Sequence, residues 1–104
     1  MTKFAALLAL STAAVLAGSY RGVITESMCL GDHKAMNMGP DPDCIRRCVK
    51  TGHGVKYVLW DGKAAYRLSH QQTPEKFAGR RVTITGSLYP KTGVLRVDRI
   101  DPLK

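Results

Sequence analysis

The chain opens on an almost unbroken apolar run. Met1-Thr2-Lys3 is followed by Phe4 to Leu16, apolar or small except for Ser11 and Thr12, and then by the small residues Ala17, Gly18 and Ser19. One positive charge, an apolar stretch and a small-residue boundary make the three-part pattern of a secretory signal. The run is shorter than the roughly 20 apolar residues that cross a bilayer as a helix. Its two polar residues are adjacent, which is not the spacing of a surface helix. Cleavage after Ala17 or after Ser19 would suit the protease. No cysteine follows the run until Cys29, so a lipid anchor is not expected. Residues 1–19 are therefore read as a signal peptide and 20–104 as a single domain. The expected location is periplasmic or secreted, with no membrane span.

After the boundary the pattern shortens to that of strands and turns. Tyr20 to Thr25 has strand composition, and Glu26 to Pro40 is broken by Gly31, Asn37, Gly39 and Pro40. Asp41-Pro42-Asp43 predicts a helix start: Asp41 as cap, Pro42 at the first helical position, Asp43 at the positive end of the dipole. Gly52 predicts its end, with Lys50 in the last turn. The period then becomes two. Val55 to Trp60 reads as a strand, Asp61-Gly62 as a tight hairpin, and Ala64 to Ser69 as the return strand. Pro74 to Ala78 suits one helical turn. Arg81 to Tyr89 places Val82, Ile84, Gly86 and Leu88 on one face and Thr83, Thr85 and Ser87 on the other. Pro90 to Gly93 is a turn, and Val94 to Ile100 is the last strand.

These elements define a mainly β chain. The expectation is a small five-stranded OB-like barrel, with one short helix inserted between strands 1 and 2 and a helical turn before the last hairpin. Closure also removes exposed strand edges. The segment Phe77 to Ile100 resembles the final hairpin of bacterial OB-fold proteins: a glycine, V-T-I-T-G, a turn, and a strand ending V-x-x-I.

Composition adds size and charge. Residues 20–104 are near the low end of what a hydrophobic core alone sustains, so a disulfide or a metal is expected to assist. The net charge is +8 over the 104 residues, and the basic residues are scattered rather than clustered. That suits solubility, or docking on an acidic envelope protein or polymer. Nucleic acid is not expected, and the sequence leaves the oligomeric state open. Trp60, Tyr57, Tyr66 and Tyr89 lie on expected strands as a weaker candidate stacking platform.

The chemistry concentrates in one window. All three cysteines lie between Cys29 and Cys48 together with His33, in the pattern C-x3-H-x10-C-x3-C. On a helix Cys44 and Cys48 stand one turn apart on the same face. Two pairs of soft or borderline ligands suit a tetrahedral metal, so Cys29, His33, Cys44 and Cys48 are candidate ligands. The alternative is a disulfide between Cys29 and either Cys44 or Cys48, which leaves one thiol over. A third reading is a redox thiol, which needs a lowered pKa. Met36 and Met38 follow His33 as H-x2-M-x-M, and thioethers favour Cu(I). That run is similar to the His/Met sets of small periplasmic OB-fold copper chaperones, although theirs lie on barrel strands. Zinc or copper is thus the expected cofactor, with no organic one. His53 is a further ligand candidate. His70 reads as solvated, and Glu26, Asp32, Asp41 and Asp43 read as caps and loop formers.

No catalytic motif is present: no G-x-S-x-G, no H-E-x-x-H, no phosphate loop, no C-x-x-C. An enzyme is not expected. The segments Gly22 to Cys29, His33, Cys44 to Gly52, Lys56 to Leu59 and Gly79 to Gly86 resemble a family of small exported bacterial proteins. That family's pattern runs G-x-I-x-D/E-S-x-C, a following His, C-x3-C-V-K-x-G, K-Y-V-L and G-x-x-V-x-I-T-G. The resemblance implies an OB-like fold and a cysteine/histidine site, and carries no activity with it. The expected function is a non-enzymatic binding module with a Cys/His metal site. The alternatives are a disulfide-stapled basic adaptor and a thiol redox protein.

Overall fold

A computed structural model describes residues 14–28 and 42–103. The elements are β1 (Leu16–Glu26), α1 (Pro42–Thr51), β2 (Tyr57–Trp60), β3 (Ala65–Leu68), α2 (Gln72–Glu75), β4 (Arg81–Tyr89) and β5 (Val94–Pro102). The strands close into a barrel in the order β1-β2-β3-β5-β4. β1 runs antiparallel to both β2 and β4, and β3 lies parallel to β5. This is the OB-like barrel, with α1 between the first two strands and the turn of α2 before the last hairpin.

Alternation builds the core. In β4 the positions Val82, Ile84 and Gly86 point inward and are buried, while Thr83 and Thr85 stay partly open. Ile24, Leu59, Leu68 and Leu95 join them in the core, all at 2% exposure or less. β4 and β5 shift register between Thr85 and Gly86. There the Arg96 carbonyl passes so close that a Cβ on Gly86 would lie 1.8 Å from its oxygen. No side chain fits that approach, which is why the inward row carries a glycine at a bulge.

Some boundaries differ from the sequence pattern, each for a local reason. β1 starts at Leu16 because Leu16 to Ser19 pair with Leu88 to Thr85. These four residues remain exposed, so backbone pairing and not burial extends the strand. The first hairpin has four loop residues instead of two, since Trp60 pairs with Ala65. The Asp61 carboxylate accepts the Lys63 and Ala64 N–H groups, both at 2.8 Å, and holds the wider loop. Gly52 does end α1, its N–H donating to the Cys48 carbonyl at 2.8 Å. Its reason is space: a Cβ would meet Val55 Cγ2 at 2.4 Å, and the left-handed turn comes two residues later at Gly54 (φ 76°).

Candidate functional site

The helix α1 closes one end of the barrel. Its apolar face carries Cys44, Ile45, Cys48 and Val49, spaced to lie along one side. Ile45 is fully buried in the core with Ile24, Tyr57 and Leu59, and Val49 packs beside it. Asp43 sits in the first turn and Lys50 in the last, each at the favourable end of the dipole. Arg46 Nε donates to the Glu75 carbonyl at 3.1 Å, fastening α1 to α2.

Seating Ile45 in the core brings the two neighbouring thiols to its margin. Cys44 and Cys48 are free and half-buried, one helical turn apart. Burial pushes the Cys48 thiol above its ordinary pKa, and the Glu26 carboxylate and Cys44 push the same way against a weaker pull from Arg47. A redox thiol needs the opposite displacement.

Glu26 ends β1 at 0% exposure. Its Oε1 accepts the Met28 N–H at 2.7 Å. The turn it holds is pinned to the entry of β2, with Ser27 N–H donating to the Lys56 carbonyl at 2.9 Å and Lys56 N–H to Ser27 Oγ at 3.0 Å. Glu26 is thus a loop former, as its position suggested, and also a buried carboxylate whose charge reaches Cys48. The sequence held a signal for this: Glu26 falls two positions after the inward Ile24 on the same strand face.

The other expected site residues divide clearly. Cys29, His33, Met36 and Met38 lie outside the described residues, as does any disulfide from Cys29 to Cys44 or Cys48. Among the described residues no three His, Cys, Asp or Glu side chains come together as a metal cluster. The described part supplies two thiols. His53 is exposed beyond the end of α1. His70 is exposed and pairs through Nδ1 with Ser69 Oγ at 3.0 Å. Met28 is 65% exposed and fills no gap in the core. The aromatic residues do not form one platform. Tyr57 is core, Tyr66 meets Tyr20 edge-on at 6.3 Å, and Trp60 alternates with Leu59 to the opposite face of β2. No helix among the described residues is long and apolar enough to cross a membrane.

Fold and site together define a small OB-like barrel closed at one end by a helix that presents paired thiols. Residues 54–103 match a family model described as "Protein of unknown function (DUF5818)". That match spans β2 to β5 and stops short of β1, α1 and the cysteines. No curated protein and no solved structure matches the chain.

Proposed function

We propose that the chain is an exported, non-enzymatic module that binds zinc or copper through Cys44 and Cys48, with Cys29 and His33 completing the ligand set. The observation that carries this reading is the thiol pair on one face of α1, close to a buried carboxylate. The donor set fits a soft or borderline cation. Glu26 adds negative charge close by, and a bound cation would offset the cost of burying it. The Ser27-Met28 turn, fixed by Glu26 and Lys56, leads the chain directly to Cys29. The raised thiol pKa is compatible with ligation, because a metal displaces the thiol proton when it binds.

Cutting after Ala17 or Ser19 removes no buried side chain among the described residues and gives up backbone pairing of Leu16 to Ser19 with β4, while Ile24, Thr25 and Glu26 stay buried. The test is metal analysis of protein purified from a periplasmic extract, with thiol counting under denaturing conditions. The expected result is about one zinc or copper per chain, with all three cysteines titrating as thiols after chelation. A Cys44→Ser/Cys48→Ser double variant should lose the metal. Two cysteines consumed in a bridge, with no bound metal, would overturn the reading.

A further inference from the structure

We infer that the buried Glu26 carboxylate makes the thiol site selective for a divalent cation, zinc, over Cu(I). This depends on the metal site proposed at Cys44 and Cys48, and it decides between the two candidate ions.

Packing places the carboxylate and the thiols at the same end of the barrel. Glu26 is the last residue of β1, pairs in register with Tyr57 and is 0% exposed. Ile45, next to Cys44 on α1, packs into the cluster that holds Ile24 and Tyr57. The thiols beside Ile45 therefore lie near the end of β1, and the Glu26 charge reaches Cys48. Met28 N–H donates to Glu26 Oε1 at 2.7 Å, a bond that suits an anion, and Lys56 N–H ties down the intervening Ser27. The carboxylate is thus held in place at the turn. Among the described residues no three His, Cys, Asp or Glu side chains converge as a metal cluster. Glu26 accordingly acts on the site through its field and not as a ligand.

Charge separates the two ions. Both suit thiolates, and each displaces the same thiol protons on binding. They differ by one unit of positive charge. At a given distance a fixed anion attracts a divalent cation twice as strongly as a monovalent one, and burial weakens the screening by water and salt. Arg47 opposes it from the exposed side of α1, where screening is stronger. Its pull on Cys48 is correspondingly weaker than the push from Glu26. The preference of Cu(I) rests on ligand softness, to which a buried carboxylate adds little.

The probes are zinc and Cu(I), titrated separately into the reduced full chain without oxygen, each against a competing chelator. Glu26→Gln keeps an acceptor for the Met28 N–H and removes the charge. It should weaken zinc about tenfold and Cu(I) only about threefold, because the lost attraction scales with the charge of the ion. Glu26→Asp retains the charge and should keep the parent's zinc-to-copper ratio to within about twofold. Arg47→Gln, an exposed change that does not touch the core, should move the ratio toward zinc at low salt. Cobalt(II) bound in Glu26→Gln should show the parent's absorption spectrum. Equal losses of both ions in Glu26→Gln, as a merely structural role would produce, overturn the selectivity. So do a ratio in Glu26→Asp that falls as in Glu26→Gln, a ratio in Arg47→Gln that stays put or moves toward Cu(I), and a cobalt spectrum altered in Glu26→Gln. A parent that binds neither ion overturns the metal site and the selectivity together. A parent that binds zinc, with no difference between the variants, overturns the selectivity alone.

Discussion

Single residues here are constrained by what passes near them. Gly86 is the sharpest case, because the Arg96 carbonyl occupies the space a Cβ would need. Gly86→Ala should destabilise the barrel by about 3 kcal/mol, read as a lower urea midpoint. Wild-type stability in Gly86→Ala would show that the bulge relaxes freely. Asp61 acts through charge. Hydrogen bonds from the Ala64 and Lys63 N–H groups hold its carboxyl below the ordinary range. A lowered folded pKa contributes stability that is full above the unfolded value of about 3.9 and is lost as pH falls through the folded one. Asp61→Asn keeps an acceptor for the loop and removes the titration. It should flatten the acid limb of stability below about pH 4 and lower stability at neutral pH by the small amount that the ionised carboxylate contributes. An acid limb identical to wild type would discount the loop carboxylate. These roles differ in legibility. Asp61-Gly62 announced a turn, but its width depended on two side-chain hydrogen bonds that spacing does not encode. The inward place of Glu26 could be counted from Ile24, yet its burial arises from chain packing over the barrel end.

Among the elements, α1 joins structure to chemistry. It was legible from Pro42, Asp43 and Gly52, because helix starts and stops use residue types with distinct backbone behaviour. Its seat was not, since the sequence does not say which apolar residue enters the barrel. That residue is Ile45, at 0% exposure. Ile45→Ala should cost about 3 kcal/mol, and it should also release α1 from the barrel end. The expected signature is faster alkylation of Cys44 and Cys48 in native buffer, beyond the change in global stability. Unchanged alkylation would mean that α1 holds its place through the Arg46 to Glu75 bond and the β1 contacts alone. β4 was read to its ends because one strand face is uniformly apolar over nine residues. β1 was read short, because Leu16 to Ser19 carry the look of the apolar leader and pair only through their backbones.

For the whole molecule, the order of strands and helices was legible and the closure followed from it. Five short strands with a helical turn before the last pair leave few ways to bury one face and hide the edges. The candidate site was legible only as a list of donors, since Cys29 and His33 lie outside the described residues, in a stretch of sequence for which no periodicity predicts a path. If a metal does tie that segment to α1, its removal should be felt globally. At free metal about 100 times Kd, binding stabilises the fold by about 2.7 kcal/mol, so a chelator should lower the melting temperature by several degrees. A melting curve indifferent to chelators would separate the cysteines from the stability of the barrel.

The neighbours of β1 have one more consequence. Tyr20 pairs with Ile84, and β3 meets Leu95 through β5. The first strand therefore waits for the fourth, and the seam waits for the fifth. A ribosome releasing this chain cannot let the barrel close until almost the last residue has emerged. A version ending at Pro90 should accordingly show no cooperative unfolding transition by circular dichroism. If the proposed export holds, that delay is useful: the topology itself would keep the chain pliable while it is threaded through a narrow translocation channel.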